Sequence, residues 1–184
     1  MKKKFIFTFL FLFIFIKLPI LNGVEIDVTE GKIEPLPIAV VKFNHENKNE
    51  DDYSSEIINI ISNNLANTGL FKILSNDSFL QAENEVFFQP MFSDWRLIDA
   101  NFLVSGQVTL ENSLLKVNLK LWDVYQEKLV INKNISGVST SDWRILSHII
   151  SNLIYEKITG EKGYFDTKLV YVAEEGTQAK RIKK

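Results

Sequence analysis

The sequence predicts an α/β domain of about five strands with two main helices, and three observations carry that expectation. A continuous apolar run, Ile38-Ala39-Val40-Val41 and on to Phe43, reads as a strand buried on both faces. Two segments, one opening at Ser54 or Ser55 and the other at Ser141, carry apolar residues at helical spacing. From Phe102 to Ile135 the apolar period becomes two. The chain has 184 residues, 46% apolar and 24% charged, which suits one domain with its own core.

Taken in order, Val24, Ile26 and Val28 alternate with Glu25, Asp27 and Thr29, the period of a half-exposed strand. Gly31, Pro35 and Pro37 punctuate, and the strand ending at Phe43 follows. Residues 44–52 are polar and read as a loop, with Glu50, Asp51 and Asp52 in solvent. Ser54 or Ser55 then caps a helix whose apolar face is Ile57, Ile58, Ile61 and Leu65, with Glu56 in its first turn and Gly69 at its end. Leu70 to Leu74 is a short strand that completes one strand–helix–strand unit.

Residues 75–101 carry the weakest pattern. Asn76, Asp77 and Ser78 suggest a turn, and Phe92 to Ala100 a short helix capped by Ser93 or Asp94, with Trp95 and Ile98 inward. A three-stranded antiparallel meander is expected next. Val104, Gly106, Val108, Leu110, Leu115, Val117, Leu119 and Leu121 form its inner face, followed by Leu129, Ile131 and Ile135 on the third strand. The face bearing Ser105, Gln107, Thr109, Lys116, Asn118 and Lys120 should be wet, and Asn112-Ser113 and Gln126-Glu127 should be the turns. The second long helix takes Ser141 as its cap, Asp142 in its first turn, a stripe of Leu146, Ile149, Ile150, Leu153 and Ile154, and Gly160 as its end. His148 falls opposite that stripe. Lys168 to Ala173 is a last strand, followed by a turn at Gly176 and a basic tail.

The first 23 residues read as a leader. Lys2, Lys3 and Lys4 precede an apolar run from Phe5 to Ile16 broken only by Thr8, and Lys17, Pro19 and Gly23 follow. A spanning helix needs roughly 20 apolar residues, more than this run supplies. A cleaved signal peptide ending at Gly23 is expected, with an uncleaved anchor as the alternative reading. Removing the four lysines of that segment takes the formal net charge from −2 to −6. Such an acidic domain is a poor match for nucleic acid, whose binders present a basic face to phosphate. The absence of cysteine excludes disulfides, thiolate metal sites and a cysteine nucleophile. An exported protein without cysteine suits a bacterial periplasm.

Chemistry-bearing motifs are few. The run Glu50-Asp51-Asp52 lacks the alternation, glycine and distal glutamate of a calcium loop. His148 has Ser147 and Ser151 nearby, but neighbours on one helix do not make a catalytic triad, and no G-x-S-x-G elbow occurs. His45 lies in the polar stretch. There is no Gly-rich phosphate cradle. Trp95, Trp122 and Trp143 serve either as core residues or as interface anchors. The tail from Lys180 to Lys184 reads either as a strand end or as a patch for acidic lipid headgroups. No metal, no cofactor and no enzymatic activity are expected.

Five stretches carry a family resemblance: GKIEPLPIAVVKF (31–43), NNLANTGLFKIL (63–74), LVSGQV (103–108), LKVNLKLWDV (115–124) and YEKITGEKGYFDTKLVYVAE (155–174). Together they resemble the amino-terminal part of the TolB family, periplasmic components of the Tol-Pal envelope system. The resemblance runs in order from about residue 24 to the end. It implies a mixed sheet with two main helices, similar to an anticodon-binding domain, although that likeness of fold does not imply tRNA binding. It also implies a layout: residues 1–23 as signal peptide, 24–36 as a mobile amino-terminal strand, 37–163 as the α/β domain, and 164–184 as the start of the first blade of a β-propeller. Lys168–Ala173 would be that blade's first strand, with Ile182 beginning the next. In the family the propeller binds the lipoprotein Pal, and this chain stops where the propeller should begin, so a Pal-like partner is expected only where a propeller is present. The resemblance further implies that Val24, Glu25, Ile26, Asp27, Val28 and Thr29 contact a TolA-like inner-membrane protein. That segment could add to a partner's sheet edge or pack on its own domain. The expected role is a non-enzymatic interaction module supporting outer-membrane integrity, envelope constriction at cell division and protein transport. A periplasmic solute- or lipid-binding domain and a cell-wall hydrolase are the competing readings.

Overall fold

The structure, a computed structural model, describes residues 34–167 and two short strands at 174–175 and 182–183. Strands β1 (Leu36–Val40), β2 (Phe71–Ile73), β3 (Phe102–Glu111), β4 (Leu114–Asp123) and β5 (Lys128–Ser139) form one sheet in the order β2-β1-β3-β4-β5. β1 runs parallel to β2 and to β3, while β3, β4 and β5 form an antiparallel meander. The mixed five-stranded sheet and the two main helices, α1 (Lys48–Asn67) and α4 (Trp143–Thr159), agree with the expected fold class. Short helices α2 (Glu83–Phe88) and α3 (Phe92–Leu97) lie between β2 and β3. β6 (Glu174–Glu175) pairs antiparallel with β7 (Ile182–Lys183). The expected strand at Lys168–Ala173 falls outside the described residues.

The sheet carries an apolar layer on each face. Ile38 and Val40 of β1 face the larger core, where α1 supplies Ile57, Ile61 and Leu65 and α4 supplies Leu146, Ile150 and Ile154. Ala39 and Val41 face a smaller core with Leu103, Val86 and Trp95. The buried run predicted for β1 is therefore present, and its physical reason is an apolar layer on each side. The second layer corrects the expectation of a wet outer face. Phe79 and Trp95 meet edge to face at 5.0 Å, Phe92 approaches Trp122 at 5.8 Å, and the segment carrying them covers the β1 end of that face. The short helix expected there forms with Trp95 buried, but α2 before it was not anticipated, and Met91 rather than Ser93 or Asp94 occupies the cap position.

Helix α1 begins earlier than Ser54. Asn47 takes the extended cap conformation and the helix starts at Lys48, so residues 48–52 are helical and not loop. The reason is Glu50. Its Oε2 accepts from the main-chain N–H of Glu46 (3.0 Å) and Asn47 (3.1 Å), and its Oε1 accepts from Leu110 N–H (2.9 Å) on β3. Glu50 is 3% exposed, so the carboxylate expected in solvent is a buried fastener between a helix start and the sheet. Ser54, expected as a cap, is buried one turn further in and donates to the Phe43 carbonyl at 2.8 Å.

The ends of the long helices follow the sequence more closely. Gly69 and Gly160 take φ of 72° and 77°, the left-handed geometry that ends a helix at little steric cost. At the start of α4, a 3-10 turn over Thr140–Asp142 precedes Trp143, and Ser139 rather than Ser141 supplies the capping oxygen, accepting from Ser141 N–H. The buried stripe of α4 is rotated from the expected one. Ser147, Ser151 and Tyr155 are inside, and Ile149 is 36% exposed. In the meander, Asn112 and Ser113 have φ of 50° and 62°, as a two-residue hairpin turn requires. Gly106 is needed for proximity: a Cβ there would lie 2.8 Å from the Asn118 carbonyl and 3.0 Å from the Phe43 ring.

Two outcomes follow from this architecture. Burial pushes the Glu50 carboxyl up, but the hydrogen bonds to its charged form outweigh burial and hold it below the usual range. Because the folded state depresses this pKa, its contribution is present above the unfolded value of about 4.3 and is lost as pH falls through the folded value. Glu50→Gln should therefore destabilise by about 1–3 kcal/mol at pH 7 in urea unfolding, and the gap from wild type should narrow below about pH 4. Gly106→Ala should lower stability by about 1–3 kcal/mol, read as a reduced urea midpoint at unchanged slope.

Candidate functional site

Val24, Glu25, Ile26, Asp27, Val28 and Thr29, the residues expected to contact a partner, lie outside the described residues. Within 34–167 the polar side chains singled out by the sequence fall into three groups, each built by the fold around it.

The first joins the two long helices. His148 does not point away into solvent. Its Nδ1 lies 2.9 Å from Asn64 Nδ2 on α1, and the same amide donates to Ser151 Oγ at 2.9 Å. The Ser151 hydroxyl donates to the Ser147 carbonyl at 2.9 Å, so its oxygen accepts from Asn64. That assigns Nδ2 to the side facing both partners and makes His148 Nδ1 an acceptor. The serine–histidine proximity is thus real in space, but the serine proton is committed to a helix carbonyl and the imidazole meets an amide. The group holds α1 against α4.

The second lies at the start of α1. Lys42 Nζ pairs with Asp51 Oδ1, and His45 Nε2 stands 3.3 Å from the same oxygen. His45 Nδ1 is 3.3 Å from the Phe43 carbonyl, so this histidine is a half-buried neighbour of the ion pair and not a free loop residue. The hydrogen bond from Lys42, with the positive charge beside it, holds the Asp51 carboxyl below the usual range. Asp52 remains exposed.

The third is Lys120 on the outer sheet face. Its Nζ sits 4.2 Å from the Phe87 ring centroid and donates to the Phe87 carbonyl at 2.7 Å. Burial lowers its pKa. All three tryptophans pack on the apolar layers, Trp95 and Trp122 on the smaller core and Trp143 on the larger. Trp95 is buried and donates from Nε1 to Gln81 at 2.9 Å. Trp122 and Trp143 are half-buried, with Nε1 of Trp122 donating to Ser105 at 3.2 Å and the Arg144 guanidinium lying 4.2 Å from the Trp143 ring.

Two open grooves flank these groups. One, of about 600 Å³, runs beside Val41, Lys42, Asn44 and Phe79. The other, of about 820 Å³, runs between α4 and the outer strand β5, past Val130, Ile131, Lys133, Leu153 and Lys157. Neither was foreseeable from spacing, because each is lined by residues from separated elements. Leu80, Phe88, Met91 and Leu97 are also exposed, all from the weakly periodic segment whose inward residues are Phe79, Val86 and Trp95. Among the described residues, no group of three histidine, aspartate or glutamate side chains could hold a metal ion, and no helix is long and apolar enough to cross a membrane.

The fastening role of Asn64 has a direct consequence. Asn64→Ala leaves His148 Nδ1 and Ser151 Oγ without their donor and should destabilise by about 1–2 kcal/mol. In a double-mutant cycle the further change His148→Ala should cost less than it does in the wild type, as measured by urea unfolding.

Comparisons with known proteins bear on the whole arrangement. The family model of the TolB amino-terminal domain matches residues 24–130. The Tol-Pal system protein TolB of Pelagibacter ubique (strain HTCC1062) is 42% identical over 170 residues, covering 88% of this chain and 38% of that protein. The protein of the same name from Rickettsia prowazekii (strain Madrid E) is 44% identical over 150 residues, covering 81% of this chain and 34% of that one. The crystal structure of TolB from Acinetobacter baumannii matches with a TM-score of 0.59 at 26% identity, over 71% of this chain and 30% of that chain. The chain thus spans little more than a third of the length of these curated relatives, 38% and 34%.

Proposed function

Because the chain belongs to the family of the TolB amino-terminal domain, we propose that it is a non-enzymatic interaction module of the Tol-Pal envelope system, working in the periplasm. The observation that carries this reading is the family match itself, which opens at Val24, the residue expected to begin the mature chain. The names of its relatives, Tol-Pal system protein TolB, support the same assignment. The chemistry of the described domain is in keeping with it. Glu50, Ser54, Ser105, Ser147 and Ser151 are the buried polar residues, and each is engaged in a hydrogen bond that fastens main chain or neighbouring elements.

In this reading Val24–Thr29 is the contact strand for a TolA-like inner-membrane protein. Its alternation of apolar and acidic residues lets the main chain pair with a partner's sheet edge while one face is buried and the other stays wet. Residues 37–163 form the rigid body that carries it, and residues 164–184 begin a propeller blade. Contact with a Pal-like lipoprotein belongs to chains that carry the propeller. The cellular role would be outer-membrane integrity, envelope constriction at division and protein transport.

The test is a calorimetric titration of the chain from residue 24 onward against the carboxy-terminal region of a TolA-like protein from the same organism. Saturable binding is expected, abolished when residues 24–29 are deleted, with an unchanged far-UV circular dichroism spectrum. Undiminished affinity after that deletion would remove the strand from the mechanism. A folded chain that fails to bind at all would set aside the TolA contact.

A further inference from the structure

Among the described residues the sheet has one long edge without a partner strand, that of β5, and hydrogen-bond register identifies the groups that lie on it. Asn44 N–H donates to the Gly106 carbonyl, Val108 N–H to the Asn44 carbonyl, and Val41 N–H to the Val104 carbonyl. The main-chain groups of Val104, Gly106 and Val108 therefore point toward β1, and those of Ser105, Gln107 and Thr109 toward β4. Their partners Lys120, Asn118 and Lys116 point back toward β3. Val117, Leu119 and Leu121 consequently point toward β5, where they meet Ile135, Lys133 and Ile131. The N–H and C=O groups of Asn132 and Asn134 are left on the open side of the sheet.

The accessible stretch is short and chemically marked. The ladder with β4 slips by a residue at Val130 and again at Ser136-Gly137, so only Ile131–Ile135 is regular. Within it, Ile131, Lys133 and Ile135 share the α4 side, and Asn132 and Asn134 lie on the other. Lys133 thus stands at the middle of the edge, on the side of the groove lined by Ile131, Leu153, Glu156 and Lys157. Neither Lys133 nor Lys157 forms an ion pair among the described residues. A charge placed this way discourages pairing with a second copy, because antiparallel pairing centred on the regular stretch would set Lys133 against Lys133. The same charge favours a strand with a carboxylate at that register.

We propose that the free edge of β5, with the groove beside α4, is a docking site for an extended acidic peptide segment of a partner protein. The partner's main chain pairs with Asn132 and Asn134. On the α4 side, small apolar side chains lie against Ile131 and Leu153 and flank a carboxylate that faces Lys133 and Lys157.

The probe is the peptide acetyl-Thr-Val-Thr-Glu-Thr-Val-Thr-amide, titrated into the isotope-labelled chain and followed by NMR. Saturable shifts at Asn132 and Asn134, with slowed exchange of those two amides, are expected. Replacing the peptide's glutamate by lysine should weaken binding about tenfold, and Lys133→Glu should reverse that preference. Lys133 is exposed, so this variant keeps the fold. A peptide N-methylated on its pairing side should not bind. The proposal is overturned if no shifts arise at millimolar peptide, if they arise away from β5, if Lys133→Glu leaves the preference unchanged, or if the N-methylated peptide binds equally. A wild-type dimer in sedimentation whose formation depends on β5 would also overturn it, by assigning the edge to a second copy.

Discussion

Ile38, Ala39 and Val40 of β1 have to satisfy two apolar layers at once, and much of the molecule is arranged to meet that demand. All three are at most 1% exposed. A strand buried on both faces must also have both edges paired, since an unpartnered main-chain group away from water costs as much as a lost hydrogen bond. β2 and β3 supply those partners, both in parallel. Parallel pairing in turn demands a crossover, and α1 is that crossover between β1 and β2. The helix layer and the small aromatic layer then close over the opposite faces.

Glu50 is where these requirements meet. The segment leaving β1 must turn sharply into α1, which exposes helix N–H groups beside a sheet end whose Leu110 N–H also needs a partner. One carboxylate answers both through bonds to Glu46, Asn47 and Leu110. Its charge is tolerated in a buried place because the donors surrounding it favour the ionised form. Asp51, one residue on, balances Lys42 at the surface of the same turn.

The two ends of the sheet are treated differently. The edge at β2 is three residues long and offers little main chain to a partner. The edge at β5 is twelve residues long, and it carries two bulges and a central lysine that limit what can pair with it. Among the described residues, such a design leaves a selective edge and not a sealed one. A strand edge protected in this way but left open is a plain physical resource for recognition by strand addition.

Periodicity alone determined most of the scaffold of this protein. The doubly buried β1, the apolar faces of α1 and α4, the glycine ends at Gly69 and Gly160 and the hairpin at Asn112-Ser113 are local properties, set by spacing and by which residues tolerate positive φ. Tertiary structure decided the rest. Glu50 looks like one of three solvated acids until the chain folds Leu110 against it. His148 looks outward on a helical wheel until α1 brings Asn64 to it. Residues 79–98 show too little pattern to predict a layer, because their burial is set by the sheet face beneath Trp95. The outward direction of the Asn132 and Asn134 amides emerges only once the register of three strands is known. In each case the deciding partner is distant in sequence, and no local pattern can report an interaction whose other half is supplied by the fold.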